Sequence, residues 1–395
     1  MNKIAIIATH PIQYYAPWFR YLSQEKDLLV KVFYLWDFGT TQQVDQGFKQ
    51  SIQWDIPLLS GYDYEFVPNR SSNPGTGHFW GLQNPSLVSA VKKFQPNTVF
   101  LTTYNYASIY HFILRWNSHK APLIFRGDSH RILPKVGTKE WARRQFISLI
   151  YRQFSACLYV GKANYNYYSY HGVPAQNLFF SPHAVDNDRF ISQTPEATQQ
   201  AQLWKQELKI PEDHAVILFA GKFENKKRPL DLLQAFIQSN LPKVSLLLVG
   251  SGSLEHELRS QAANHPSIYF APFQNQSQMP RTYAIADLVV LPSYGSWETW
   301  GLVINEAMCL SRPVIASNHV GCAQDLVHSN RNGLVFPAGN VSALADCLQQ
   351  AFSNREQLQK WAEESRKIIR NYSYIQATQG LKDATHYLNA LSLSS

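Results

Sequence analysis

Two glutamates eight positions apart, Glu298 and Glu306, frame the stretch whose residue types could do chemistry. An apolar run at 288–291 predicts a buried strand, and the spacing after it predicts an amphipathic helix beginning near Trp300. Glu306 would lie roughly 9 Å along that helix, at 1.5 Å per residue. Free N–H groups around Trp300 and Gly301, at the positive end of the helix dipole, would bind an anion. This arrangement fits a nucleotide sugar, with sugar hydroxyls at Glu298, diphosphate at the amides and ribose at Glu306.

Taken alone, such a pair of glutamates is typical of an ordinary surface helix. The neighbouring sequence favours binding, because a series of short motifs occurs in one order with tight spacing: Pro292-Ser293, Gly301-Leu302-Val303, Glu306-Ala307-Met308, Pro313-Val314-Ile315-Ala316, Gly321 and Asn332-Gly333-Leu334-Val335. The series closely resembles the C-terminal half of retaining glycosyltransferases of family 4, of the bacterial polysaccharide and glycoconjugate type. The resemblance implies the GT-B fold and places the donor contacts of the turn at Thr299, Trp300, Gly301 and Leu302.

A basic loop from Gly221 to Arg228 follows the first strand expected in the second half. Ligands of open α/β sheets bind outside the carboxyl ends of the strands. Lys222 and Lys227 match family positions where Arg and Lys contact the donor diphosphate, and there they would stabilise charge on the departing nucleotide. Lysine at 222 keeps the charge but loses the bidentate fork of arginine. An exposed basic loop is the competing interpretation. The resemblance also places Gly221 and Phe273 at the donor, Phe273 in a segment whose backbone reads the nucleobase.

Polar residues of the first half are expected at the acceptor and the reacting sugar. His10 and Gln13 follow the first strand, where many relatives have a glycine-rich loop that this chain lacks; they would contact the acceptor or fix the loop. The strand at 123–125 runs into Asp128 and His130, and several family members place a sugar-contacting histidine soon after this strand. Strand register favours Asp128 as that residue, and residue type favours His130. A turn cap and a surface imidazole are the structural alternatives.

Apolar strands alternate with helical patterns along both halves, which predicts an α/β chain with parallel, doubly wound sheets. With the resemblance, this gives a GT-B fold of two Rossmann-like domains facing each other across a cleft. The acceptor domain is expected at 1–200 and the donor domain at 201–375, with a final helix, about 376–395, crossing back. A polar linker is predicted at 192–200 and an irregular insertion at 37–84. For His183, the sequence favours a structural role. Strands are predicted at 3–8, 29–34, 64–67, 98–101, 123–125, 156–160, 216–220, 245–249, 268–270, 288–291, 314–316 and 334–336.

Composition bounds the partners and the compartment. The 395 residues, 45% hydrophobic and 16% charged, fit two globular domains, and no run approaches the ~20 apolar residues of a membrane span. The net charge of +8 suits nucleotide phosphates or anionic lipid, and no motif supports nucleic acid. The four cysteines, without metal or disulfide spacing, favour a reducing cytoplasmic compartment: Cys157, Cys309, Cys322 and Cys347.

One predicted helix, at 139–154, is basic and amphipathic. Only Glu140 offsets five cations in and just before it, which are Lys135, Lys139, Arg143, Arg144 and Arg152. Its apolar face would consist of Trp141, Phe146 and Ile150. Such a helix either lies peripherally on the inner face of an anionic membrane or packs its apolar face against the sheet. The sequence favours packing and leaves both interpretations open.

The resemblance implies retaining transfer of a sugar to a hydroxyl acceptor, in polysaccharide, glycolipid or glycoside biosynthesis. A UDP-sugar is the favoured donor and GDP-mannose the next. No cofactor or metal is expected, because the lysines can replace the cation and the sequence has no Asp-x-Asp metal loop of the kind used by the other major glycosyltransferase fold. The implied catalytic residues are Lys222, Lys227, Glu298 and Asp128. The alternatives are another GT-B enzyme, an epimerase or phosphorylase, and a catalytically silent nucleotide-sugar binder.

Overall fold

The chain folds around two parallel β-sheets, each at the centre of an α/β domain. The computed structural model describes residues 1–38, 43–45, 50–52 and 54–394. The strands of the first half are β1 (Asn2–Ala8), β2 (Leu28–Tyr34), β3 (Gln43–Asp45), β4 (Gln50–Ile52), β5 (Asp63–Phe66), β6 (Thr98–Leu101), β7 (Leu123–Arg126), β8 (Ala156–Tyr159) and β9 (Leu178–Phe180). Those of the second half are β10 (Ala215–Ala220), β11 (Val244–Val249), β12 (Ile268–Ala271), β13 (Leu288–Leu291), β14 (Val314–Ser317) and β15 (Gly333–Phe336).

Helices connect the strands and cover the sheets. The first half has α1 (Ala16–Gln24), α2 (Leu87–Phe94), α3 (Ala107–Arg115), α4 (Thr138–Tyr151), α5 (Lys162–Tyr170), α6 (Asn187–Ser192) and α7 (Thr194–Glu207). The second half has α8 (Pro229–Ser239), α9 (Glu255–Ala262), α10 (Met279–Ala284), α11 (Leu302–Cys309), α12 (Ala323–Leu326), α13 (Val341–Phe352), α14 (Arg355–Ile369) and α15 (Tyr374–Ser394). Single 3₁₀ turns occur at Phe79–Gly81, Ala175–Asn177, Asn225–Lys227 and Gln276–Gln278. Within the described ranges, no helix is both long and apolar enough to cross a bilayer.

The first sheet has the strand order β5-β2-β1-β6-β7-β8-β9, with every neighbouring pair parallel. Side chains of a strand alternate between the two faces, and β1 buries Ile4 and Ile6 on one face and Ala5 and Ile7 on the other. Both faces therefore need covering helices. The last helix, α15, packs on the Ile4 face with Leu381 fully buried there.

The second sheet has the order β12-β11-β10-β13-β14-β15 and is also parallel throughout. Its central strand β11 buries Leu246 and Leu248 on one face and Leu247 and Val249 on the other. The prediction of two parallel, doubly wound sheets is confirmed. Loops that follow β1 and β7 in the first sheet, and β10 and β13 in the second, line one cleft between the domains.

The polar stretch 192–200 is not the predicted linker. Most of it lies in α7, a helix of 14 residues with a proline in its first turn. Its buried residues Ala197, Ala201 and Trp204 recur at i, i+4 and i+7, a narrow apolar stripe within a polar sequence. The small size of two of these residues concealed the helical period.

Three further predictions need correction. β9 was not predicted, because three residues are too short to show a strand period. The helix expected near Trp300 begins at Leu302, because Gly301 has a φ of 101° and cannot be helical. Within the 37–84 segment, β5 joins the first sheet and β3 pairs with β4, so the insertion is only partly irregular. Residues 39–42, 46–49 and 53 of that segment lie outside the described residues.

The contact between α15 and the first domain predicts a packing-sensitive glycine. A Cβ on Gly380 would lie 1.9 Å from the carbonyl oxygen of Phe180, in β9. We expect Gly380→Ala to lift α15 from the sheet and lower the free energy of unfolding by about 1–3 kcal/mol, the usual cost of overpacking. Urea unfolding would measure it. Gly77→Ala is the control, since nothing lies within 4 Å of its added Cβ. Equal stability of the two variants would contradict the prediction.

Candidate active site

The turn between β13 and α11 is held in shape by two glycines. Gly301 precedes the helix at a φ of 101°, where side chains are strained, and its Cβ would meet Leu291 and Val320 at 2.9 Å. Gly321 lets the opposite loop approach, because its Cβ would lie 1.8 Å from the Thr299 carbonyl oxygen. Leu302 and Val303, the first two residues of α11, line the cleft, and their N–H groups lie too early in the helix to have intrahelical acceptors.

The first domain reaches this turn through Asp128. The hydroxyl of Thr299 donates to the Asp128 carboxylate at 2.6 Å, and Nε2 of His183 lies 3.5 Å from the same oxygen. Burial acts to raise the pKa of Asp128, but the His183 and Thr299 hydrogen bonds and the Arg126 charge outweigh it and lower the pKa to about 2. Burial and the Arg126 charge lower the pKa of His183. Asp128 is therefore an ionised acceptor beside a neutral imidazole.

Arg126 organises the first-domain wall of the cleft. Its side chain is 2% exposed and donates to the carbonyl oxygens of Ser181 and Pro182 at 3.2 and 2.8 Å. It also donates to the Tyr15 hydroxyl at 3.2 Å, and its guanidinium lies 4.9 Å from the Trp18 ring centroid. The last residue of β7 is thereby tied to the segment that precedes α6.

Lys227 and Glu298 form an ion pair across the second-domain side of the cleft. Their side chains are 20% and 14% exposed, so the pair is screened from bulk water. The hydroxyl of Ser293, the residue after Pro292, donates to the same glutamate oxygen at 2.8 Å. The 3₁₀ turn Asn225–Lys227 presents the lysine, and Tyr294 anchors this turn by donating its N–H to the Lys226 carbonyl at 2.8 Å.

Glu306 is buried on α11 with 1% exposure. One of its oxygens accepts from the Tyr283 hydroxyl at 2.6 Å. The other, Oε1, has no hydrogen-bond partner among the described residues. Burial raises the pKa of Glu306. The hydrogen bond from Tyr283, the Arg189 charge and the nearby Gln276 and Tyr14 side chains oppose that rise. A buried carboxylate oxygen without a donor is costly unless a ligand supplies one, so this oxygen is a candidate binding position.

Two adjoining cavities connect these groups. One, of about 370 Å³, is lined by Asp128, His183, Lys227, Glu298 and the 299–303 turn. The other, of about 300 Å³, extends from Lys227 past Lys222 to Glu306. Tyr14, Lys227 and Val303 line both cavities. The path therefore runs from Glu306, past Lys222, Lys227 and the start of α11, to Asp128 of the first domain.

The predicted donor and catalytic residues converge on this path. Lys227, Glu298, Asp128, Thr299, Trp300, Gly301 and Leu302 line the first cavity. Gly221, Lys222, Phe273 and Glu306 line the second, with Gln13 beside them. Nearness to the cleft does not by itself assign a role, so these roles stay predictions.

The two histidines predicted at the acceptor or the reacting sugar, His10 and His130, line neither of these cavities. His10 packs edge-on against Trp36 and Phe38, at centroid distances of 5.8 and 5.3 Å, and its Nδ1 lies 3.0 Å from the Thr9 hydroxyl. Burial lowers the pKa of His10 to about 4. These contacts match the loop-fixing alternative. His130 accepts from the Ile132 N–H at 3.3 Å through Nδ1, and its buried Nε2 has no partner among the described residues. Burial lowers its pKa.

Sequence reasoning missed three groups of the site. His183 lines the first cavity, although its context favoured a structural role. Arg126 gave a signal, as a charge at the end of an apolar strand. Tyr283 gave none, because nothing in the sequence ties it to Glu306. The triplet Asp186-Asn187-Asp188 has the Asp-x-Asp pattern of a metal loop. Asp186, however, caps α6 by accepting a hydrogen bond from the Arg189 N–H at 3.1 Å.

The buried Glu306 carboxylate predicts a pH-dependent stability. Its folded-state pKa lies above the ordinary 4.5, so the carboxylate costs stability as pH rises from 4.5 through the folded pKa. Between pH 4.5 and the folded-state pKa, we expect the free energy of unfolding of Glu306→Gln to rise relative to that of wild type, by up to about 1.4 kcal/mol per pH unit. Urea unfolding of ligand-free protein at a series of pH values would measure this slope.

Below pH 4.5 the difference between Glu306→Gln and wild type should stay constant, because both states then bind the proton. The altered hydrogen bond to Tyr283 shifts stability by the same amount at every pH and leaves the slope unchanged. Glu363→Gln, at an exposed carboxylate, is the control. A difference between wild type and Glu306→Gln that does not vary with pH would refute the assignment.

Comparison with known proteins finds a family model that matches most of the second half of the chain. Residues 200–368 match the family model "Glycosyl transferases group 1". A D-inositol 3-phosphate glycosyltransferase of Nocardioides sp. is 33% identical over 186 residues, 41% of this chain and 40% of that protein. The O-antigen chain mannosyltransferase C of Escherichia coli is 29% identical over 153 residues, 38% of this chain and 40% of that protein. The matched stretches thus span about two fifths of these curated relatives.

A solved structure matches over nearly the whole chain. The crystal structure of HepE from Anabaena in complex with UDP and glucose has a TM-score of 0.71 and 16% sequence identity, covering 97% of this chain and 99% of that one. At that identity the likeness concerns the fold. Together with the two parallel sheets that meet at a cleft, it shows that this chain has the GT-B fold.

Proposed function

We propose that this protein transfers a sugar from a nucleoside-diphosphate sugar to a hydroxyl acceptor, with retention at the anomeric carbon and without a metal. The observation that carries the proposal is the unpartnered Oε1 of buried Glu306, at one end of a path whose other end holds Glu298 and Asp128. The match to the glycosyl transferases group 1 model supports the reaction class. HepE, which shares the fold, is bound to UDP and glucose, and this supports a UDP-sugar over GDP-mannose as donor.

The donor would lie along the two cavities. The ribose diol would donate to Glu306, and the base would lie near Phe273, to which Trp54 of the first domain comes within 6.5 Å between ring centroids. Lys222, Lys227 and the first N–H groups of α11 would surround the diphosphate. The sugar would then reach the first cavity.

Donor binding would rearrange the ion pair of the cleft. Without a ligand, Lys227 contacts Glu298. A diphosphate competes for the lysine, and the released carboxylate is then an acceptor for sugar hydroxyls. Glu298 would thus hold Lys227 in place before binding and orient the sugar afterwards.

The transfer itself needs only these groups. The bond from the anomeric carbon to the departing phosphate oxygen breaks, and the acceptor oxygen forms a new bond on the same face. The acceptor proton passes to that phosphate oxygen, so no separate base is required. The two lysines and the helix amides stabilise the charge that develops on the nucleotide. Asp128, with its pKa of about 2, would accept a hydroxyl hydrogen bond and not donate a proton.

Nucleotide binding gives the first prediction from this proposal. We expect UDP to raise the melting temperature of the protein more than GDP or ADP. A ligand present at a hundred times its Kd adds about 2.7 kcal/mol to the free energy of unfolding. In Glu306→Ala the UDP affinity should fall at least about tenfold, because two charge-assisted bonds to the ribose are lost. A thermal-shift titration measures both. A UDP shift that persists in Glu306→Ala would contradict the ribose assignment.

Lys227 gives the second prediction. We expect Lys227→Ala to lower the kcat of sugar transfer about 10²–10³-fold, as when one preorganised donor is removed from a charge-stabilising site. The measurement is release of UDP from UDP-glucose with an added hydroxyl acceptor. Lys367→Ala is the matched control, because that lysine is also ion-paired, with Glu364 at 2.6 Å, but lies on α14.

The same assay separates the alternative reactions. Isomerisation of the donor sugar without an acceptor would favour an epimerase, and sugar phosphate formed from inorganic phosphate would favour a phosphorylase. UDP binding without turnover of any UDP-sugar would favour a silent binder. A Lys227→Ala variant as active as wild type would contradict the catalytic role of this lysine.

A further inference from the structure

The exposed apolar side chains of this protein are unevenly distributed. In the part of the chain that the structure describes, sixteen large hydrophobic residues are exposed, and eight of them lie between residues 79 and 149. These eight are Phe79, Trp80, Leu114, Leu133, Val136, Trp141, Phe146 and Leu149. Single exposed apolar residues are ordinary, but a cluster marks an interaction surface.

Helix α4 has two apolar faces, and only one packs on the sheet. Ile147, Ile150 and Tyr151 belong to the core of the first domain. Trp141 and Leu149, eight positions apart and hence on one side of the helix, are 65% and 56% exposed. The packing interpretation is therefore confirmed for one side of the helix, and the opposite side is left exposed. Ile150, grouped with Trp141 in the predicted face, lies on the packed side.

The exposed side of α4 continues onto neighbouring elements. Phe146 stacks on Tyr110 of α3 at 6.4 Å between ring centroids, and Tyr110 contacts Phe79 at 5.4 Å. Phe79 in turn contacts Trp80 at 4.9 Å. Leu114 follows one turn after Tyr110 on α3 and is 84% exposed. These contacts join Phe146 of α4, Tyr110 of α3 and the 3₁₀ turn Phe79–Gly81. Together with the exposed apolar residues of the same two helices, they are called here the aromatic ridge (Phe79, Trp80, Tyr110, Leu114, Trp141, Phe146 and Leu149).

Positive charge borders the aromatic ridge. Between residues 131 and 152 the chain has six cations and one acid, a formal charge of +5 out of +8 for the whole protein. The acid, Glu140, is buried on the packed side and lies 3.5 Å from Arg143. Lys135 and Lys139 are exposed at the start of α4. An aromatic surface with a basic border is complementary to an anionic lipid bilayer, which accepts indole rings at its interface and attracts lysines.

We propose that the aromatic ridge docks this protein on an anionic phospholipid bilayer. A second copy of the chain fits less well, because a two-fold contact through this face would bring two basic borders together. The loop 127–137 connects β7 to α4 and carries Asp128, so a docked protein would hold the first-domain wall of the cleft close to the lipid. The proposal does not depend on the sugar-transfer reaction.

Vesicle binding tests the proposal on the full-length protein. We expect the protein to co-sediment with vesicles of phosphatidylcholine mixed with phosphatidylglycerol, and not with phosphatidylcholine alone. Trp141→Ala, Phe146→Ala and Leu149→Ala combined, and separately Lys135→Gln with Lys139→Gln, should each weaken partitioning at least about tenfold. High salt should weaken wild-type binding by screening.

Matched controls separate docking from general surface effects. Leu203→Ala with Ile375→Ala removes apolar side chains that are 56% and 57% exposed elsewhere, and Lys26→Gln with Lys360→Gln removes two exposed cations. All variants should keep the wild-type melting temperature and UDP-induced shift. Absence of wild-type binding to the mixed vesicles, or equal losses in variants and controls, would overturn the proposal. So would a dimer in sedimentation velocity that the ridge substitutions dissociate, because the ridge would then bind a second copy.

Discussion

The constraint on which the cleft depends is the burial of one ionisable group. Glu306 is held at 1% exposure with one oxygen paired to Tyr283 and the other without a partner in the described structure. Desolvating a carboxylate costs several kcal/mol unless donors replace the lost water. A ligand diol offers two such donors. The folded protein therefore keeps an incompletely satisfied acceptor at the end of its cavity, and part of the binding free energy of a diol would come from relieving that cost.

Hydrogen bonds to the first domain hold the second-domain groups that face the cleft. Thr299 donates to Asp128, and the Asn305 side chain, which also accepts from the Trp300 indole, donates to the His183 carbonyl at 3.1 Å. At the edge of the cleft, the Lys162 N–H donates to Asp325 at 3.1 Å. The turn that carries Glu298 thus has its shape fixed from both sides. A domain opening that broke the Asp128 contact would release the Thr299 end of this turn.

Most strands could be predicted from the sequence, because apolar runs bounded by turn residues have few other solutions. The helix α7 could not, since its buried stripe is built partly from alanines that composition does not distinguish from polar surface. In the site, the spacing of the two glutamates and the series of motifs around them indicated Glu298 and Glu306. The contacts that complete the site join residues far apart in sequence, as between Asp128 and Thr299 or Tyr283 and Glu306. No local period encodes such pairs, and so His183 was assigned a structural role.

The structure shows which of the positive charges of the protein have carboxylate partners. From composition, a charge of +8 could serve nucleotide phosphates or lipid equally. In the basic loop of the donor side, however, three cations have carboxylate partners: Lys226 with Glu224 at 3.0 Å, Lys227 with Glu298, and Arg228 with Asp231 at 3.0 Å. The segment 131–152 has six cations and a single buried acid. The donor side is therefore close to charge balance before ligand binds, and five of the eight net charges lie in the segment 131–152, which contains α4 and its exposed aromatic side chains. Charge that is not needed to neutralise a ligand, and that borders an apolar surface, is better explained by a partner that is both anionic and apolar.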